Sequence, residues 1–185
     1  MPILGVIIYF IISPRFTPAP IVYSHIFGLI IVTVLAPIVL SFFLKNLGVT
    51  ETLYLENVEE RRIPIILHIG LFILTIKTLI NLIDFPELYY FFSGMLFSLI
   101  GALAFVIFKY KVSLHMIGIG AITAFTIGLS VHFSTNQIML IGGLFILAGF
   151  IATSRLFTQE HTPTQLLLGV LVGIAPQITL YRLWL

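Results

Sequence analysis

The chain contains no cysteine. That absence excludes disulfides and thiolate metal sites and leaves the redox compartment without a signature. Charge is nearly as scarce: Asp, Glu, Lys and Arg make up 9% of the 185 residues, against roughly 25% in a soluble domain. With 59% of residues hydrophobic, no water-soluble fold can hide the apolar surface. The net charge of +2 is too small to point to nucleic acid. The first residues, Met1 and Pro2 followed by an apolar stretch to Ile12, lack the basic region and small-residue cleavage site of a signal peptide. That stretch is also short for a spanning helix, so it reads as a partial helix, a tilted one or the remnant of a longer segment.

What the chain does have is long apolar runs, each of about the 20 residues that cross a bilayer as a helix. Between proline, glycine and charge punctuation they fall at 21–43, 65–83, 88–108, 114–133, 138–153 and 165–184. The expectation is an all-α, polytopic transmembrane helical bundle: six spans plus the short N-terminal segment, forming one integral membrane domain over 1–185. Small residues at Gly118, Ala121, Ala124 and Gly128, and the pair Gly169 and Gly173, mark faces where helix backbones approach closely. Tyr89, Tyr90, Phe91, Phe92, Tyr181 and Trp184 near span ends fit an aromatic belt.

Counting crossings divides the connections into two sets. Those at 45–62, 109–113 and 155–164 share one face; those at 14–20, 84–87 and 134–137 share the other with the C-terminus. The first face holds Lys45, Arg61, Arg62, Lys109, Lys111 and Arg155, so the positive-inside rule votes for a cytoplasmic first face. Of the remaining polar residues, Lys77 lies inside a span, with Asp84 seven residues later for its stem to reach. His68 stands either at the edge of a site or as a core histidine, and His132 reads as interfacial on the opposite face. Glu51, Glu56, Glu59 and Glu60 read as a solvated loop.

On the first face, three places where a loop meets a helix start concentrate the ionisable groups: Arg61-Arg62-Ile63-Pro64, Ser113-Leu114-His115, and Ser154-Arg155 followed by His161. Pro64 suits a first helical turn, Ser113 a cap, and Thr162-Pro163 a cap plus first helical residue. Helix starts present unpaired N–H groups, and arginines add forked donors for phosphate oxygens. With one imidazole as nucleophile and the other as general acid, such a pocket can cleave a phosphate ester through a phosphohistidine without a metal or other cofactor. The competing reading makes the arginines interfacial anchors that snorkel to headgroups, with the histidines satisfying helix ends.

At these residues the chain resembles the type 2 phosphatidic acid phosphatase superfamily, with signatures KxxxxxxRP, PSGH and SRxxxxxHxxxD. Ser154, Arg155, a five-residue spacer and His161 reproduce SRxxxxxH. Ser113 and His115 keep the S-x-H of the second signature, flanked by Val112 and Leu114 in place of Pro and Gly. In the first, Arg62 stands at the arginine, Pro64 comes one residue late and Leu55 occupies the lysine position, while Gln165 replaces the aspartate of the third. The resemblance implies a membrane lipid phosphatase with His161 as nucleophile and His115 as the acid for the leaving group. It implies that Arg62, Arg155 and Ser113 bind the phosphate, with Gln165 and Arg61 supporting, and that the partner is a lipid phosphomonoester or diphosphate. The lost lysine and aspartate leave a second expectation open: a non-catalytic member that binds anionic headgroups or serves as a subunit of a membrane complex.

Overall fold

The protein is described by a computed structural model covering residues 1–48 and 57–185. Leu55, Glu51 and Glu56 lie outside the described residues. The described residues form an all-α bundle of seven helices: α1 (Pro2–Ile12), α2 (Ala19–Asn46), α3 (Arg62–Thr78), α4 (Pro86–Ile107), α5 (Leu114–His132), α6 (Ile138–Phe157) and α7 (Pro163–Leu180). Five of them, α2, α4, α5, α6 and α7 with its last turn to Leu183, are long and apolar enough to cross a membrane, and the chain is an integral, multi-pass membrane protein.

Local chemistry sets the boundaries. Proline occupies the first turn of α1, α2, α4 and α7, where its missing N–H costs nothing. Past the ends of α4 and α5, Lys109 and Ser134 adopt left-handed conformations (φ 58° and 51°), and the two following N–H groups return to helix carbonyls: Tyr110 to Phe105 at 2.9 Å and Thr135 to Ser130 at 3.0 Å. Within α2, Pro37 cannot donate to the preceding turn, and the five residues Ile31–Leu35 absorb the fault as one π turn.

α3 departs from the expected span 65–83. It starts at Arg62 and stops at Thr78, and its 17 residues rise about 26 Å. Asn81 ends it by competing for the backbone: its Oδ1 accepts from Ile83 N at 3.0 Å and its Nδ2 donates to Asp84 at 3.0 Å. Lys77 is therefore in the last helical turn, where a cation faces the negative end of the helix dipole, and Asp84 bonds Asn81 in place of the expected lysine.

α5 is the axis of the bundle, buried almost continuously from Met116 to Leu129, whereas α2 and α6 turn Phe27, Val39, Phe43, Phe145 and Phe150 outward. The closest helix pair is α5 with α7. A Cβ on Gly169 would meet the Ser113 carbonyl at 2.8 Å, one on Gly120 the Val170 carbonyl at 2.9 Å, and one on Gly173 would overlap the Ile117 carbonyl. The Gly169 and Gly173 pair thus does what its spacing predicted. The α5 stripe is divided instead: Gly118 receives Met1, and Gly128 receives Tyr181 and Trp184. α1 is a partial helix of 11 residues inserted into the bundle, with Val6, Ile8 and Tyr9 buried.

Pro176 inside α7 leaves the Val172 carbonyl without its helical donor. Ser98 of α4, fully buried, sets its Oγ 3.0 Å from that oxygen and 3.0 Å from its own Gly94 carbonyl. We expect Ser98→Ala to destabilise the protein by about 1 kcal/mol, the scale of interhelical hydrogen bonds in membranes. Reversible unfolding in mixed micelles measures it, and the loss should vanish in a Pro176→Ala background.

At the end of the bundle away from the histidine motifs, Glu87 is 1% exposed and carries three partners: Arg15 Nη2 at 2.7 Å, His132 Nε2 at 3.2 Å and the Tyr9 hydroxyl at 3.2 Å. His132 is thus part of a buried polar cluster and not simply an interfacial residue. A carboxylate withdrawn from water needs such satisfaction.

Candidate functional site

At the opposite end, α3, α5, α6, the turn before α7 and Ser41 of α2 surround a cavity of about 320 Å³. Pro64, Ile65 and Leu114 form apolar wall, and Arg61, His68, His115, Arg155, Glu160 and His161 supply its polar surface. The three motif segments therefore meet where crossing the membrane an even number of times between them requires. Among the described residues no group of three His, Cys, Asp or Glu side chains is disposed to hold a metal ion.

The arginine that faces the cavity is Arg61, the cap position just before α3, 9% exposed at the end of the short turn Glu59–Arg61. Residues 61, 64, 65 and 68 recur at helical spacing and share one face, and all four line the cavity. Arg62, expected to bind phosphate, is rotated away by the helical twist of roughly 100° per residue. It lines a separate cavity of about 200 Å³ with Glu59 and Lys109. Lys109 bonds Glu59 at 3.0 Å and holds that carboxyl below the usual range. His68 does border the main cavity, and its Nδ1 donates to the Pro64 carbonyl at 2.8 Å within its own helix.

Ser113 is likewise not a lining residue. It is fully buried, and its Oγ accepts the Met116 N–H at 3.5 Å as the cap of α5. The reason is Gly169, which brings α7 against the Ser113 backbone. Two residues on, His115 opens into the cavity.

Arg155 ends α6. Gln159 takes a left-handed conformation (φ 54°) and reverses the chain, so Glu160 folds back over the helix end. Its carboxylate meets Arg155 Nη1 at 2.5 Å, while Nη2 of the same guanidinium lies 3.1 Å from His115 Nε2. A guanidinium has only donors, so His115 Nε2 is the acceptor and its ring proton is on Nδ1. The Arg155 bond also holds the Glu160 carboxyl below its usual range.

His161 is oriented by the cap of α7. Thr162 Oγ1 accepts from Gln165 N at 3.4 Å, and Gln165 Oε1 accepts from Thr162 N at 3.3 Å, a reciprocal capping box. The same Oε1 is 3.1 Å from His161 Nδ1. Because the Thr162 N–H can only donate, the oxygen of the amide is the end held there, and His161 Nδ1 must carry a hydrogen. Nε2 is left with a free lone pair. Burial lowers the pKa of this imidazole to about 4; the Gln165 bond opposes the shift, and the charges of Lys111 and Arg61 add to it. The ring is neutral at pH 7. His161 and Glu160 also border a second opening of about 440 Å³ beside Lys111 and Gln165.

The sequence reading missed Arg61 as a lining residue, and also Ser41 and the return of Glu160. The 61, 64, 65, 68 periodicity carried the signal for the first. Neither of the others has a sequence signature. Comparison of the chain with family models, with curated proteins and with solved structures finds no match.

Proposed function

We propose that the protein hydrolyses a phosphomonoester or diphosphate of a membrane lipid through a phosphohistidine on His161, in a prokaryotic inner membrane. The observation that carries this reading is the convergence of three imidazoles, two guanidiniums and the Glu160 carboxylate on a cavity that Pro64, Ile65 and Leu114 also line. The lone pair of His161 Nε2 attacks phosphorus and the bond to the leaving oxygen breaks. His115, which takes up a proton on Nε2 once Arg155 turns from it to the phosphoryl oxygens, gives that proton to the leaving oxygen and then, as a base, takes one from the water that hydrolyses the phosphohistidine. Arg61 and Arg155 stabilise the equatorial oxygens. The resemblance to the phosphatidic acid phosphatase signatures supports the assignment of His161 and His115.

Phosphate release from a panel of lipid phosphates and diphosphates in detergent tests this. Arg61→Met should lose at least about tenfold in kcat/KM, the scale of one removed charge-assisted contact. Arg62→Met should stay near the parent. Equal losses in both would return the phosphate contact to Arg62. A second reading is non-catalytic binding of anionic headgroups. The neutral Gln165 beside His161 favours it, since an amide orients the ring but stabilises its cation poorly.

A further inference from the structure

The polar end of the cavity already holds an anion of the protein's own. Glu160 lines the cavity, its carboxylate bonds Arg155 at 2.5 Å, and it also stands within electrostatic reach of Arg61, Lys111 and His161. Arg155 is thereby committed on both sides, to Glu160 through Nη1 and to His115 through Nη2. Two of its five N–H donors are engaged in this way, and a phosphoryl group that takes the Nη1–Nη2 fork has to displace Glu160. The carboxylate is free to leave, because its side chain is about one-third exposed (36%) on a turn whose direction is set by Gln159.

Resting on the reading of this cavity as a phosphate site, we propose that Glu160 is the specificity-determining residue that confines it to lipids with a terminal phosphoryl group. Displacement is an exchange of one anion for another. A terminal phosphate brings a charge of about −1.5 to −2 and three acceptor oxygens at neutral pH. A phosphodiester headgroup brings a single charge, no more than the carboxylate it would expel. The bulk phospholipids of a bilayer are phosphodiesters in vast excess over any terminal phosphate, so an arginine-lined site in a membrane protein needs a way to refuse them. The exchange also frees His115 Nε2 from Arg155 only when a group able to replace Glu160 has arrived.

The test is binding of dioctanoyl phosphatidate and dioctanoyl phosphatidylglycerol to the full chain in detergent, by calorimetry. The parent should bind the phosphatidate at least about tenfold more tightly. In Glu160→Gln the ratio should fall to within about threefold, mainly because phosphatidylglycerol binds better. Glu160→Asp keeps the charge but is one methylene short of Arg155, and it should show the same collapse. An unchanged ratio in both variants would overturn the proposal and leave the phosphate site standing. Collapse in Glu160→Gln alone would also overturn it, since a distant field and not displacement would then be selecting. If no lipid binds in a manner that Arg155→Met weakens, the phosphate site itself falls and the selector with it.

Discussion

His161→Ala is expected to remove phosphate release from lipid phosphates by at least about 10⁴-fold, the scale on which enzymes lose turnover when their nucleophile is deleted. The loss should lie in kcat, because Arg61, Arg155 and the apolar wall remain to bind the lipid. Single-turnover experiments with ³²P-labelled lipid supply the companion result. Label should remain acid-labile on the parent chain and be absent from the variant. The pH profile follows from the environment of the ring. Its attacking nitrogen must be unprotonated, and its pKa is about 4, so activity should rise with pH through about 4 and be insensitive to this group above about 6. Stability carries the same sign. An unfolded histidine takes up its proton near 6.5, the folded one only near 4, so the unfolded chain binds more protons between those values and stability falls as pH drops through that window. Release that survives in His161→Ala would remove the phosphohistidine from the mechanism.

Gly173→Val should prevent accumulation of folded protein. The Cβ alone would overlap the Ile117 carbonyl oxygen and press on Ala121 N at 3.0 Å, both of them backbone atoms of the most buried helix. No rotamer relieves a clash with backbone. α5 and α7 would have to separate, and the gap would reach the Gly169 contact with the Ser113 carbonyl and unseat the cap that presents His115. Overpacking in a well-filled interior costs about 1–3 kcal/mol when side chains can adjust, and more is expected here. Gly142→Val, on the outer face of α6 with nothing within 4 Å, is the matched control and should leave yield and the thermal midpoint in detergent unchanged.

Much of this architecture was legible because lipid imposes it. An apolar run of sufficient length has to be a helix, so the spans beginning near 21, 88, 114, 138 and 165 appear where the composition puts them. The meeting of His115, Arg155 and His161 followed from counting crossings. The errors concern angle and turn chemistry. The arginine that lines the cavity is Arg61 and not Arg62, one residue or roughly 100° of helical phase away, and matching a linear signature hides phase. Extending α3 past Thr78 trusted the hydropathy of Leu79, Ile80, Leu82 and Ile83 over a single Asn81 that offers the backbone better local bonds. Nothing in the sequence marks Glu160 as a partner of Arg155. Its engagement with Arg155 depends on a left-handed residue, Gln159, of a type that seldom announces one.

The cluster around Glu87 bears on how the molecule is made. Its carboxylate on α4 is satisfied by Tyr9 and Arg15, 78 and 72 residues earlier in the chain, and by His132 at the far end of α5. Tyr9 and Arg15 precede α4 in the chain, so neither has its carboxylate partner until α4 is in the bilayer, and the larger part of the surface that α1 lies against comes only with α5. α1 therefore completes its docking only after helices made much later than itself, closing long loops of the fold. Until it does, the groove that receives it is an open flank on the nascent bundle.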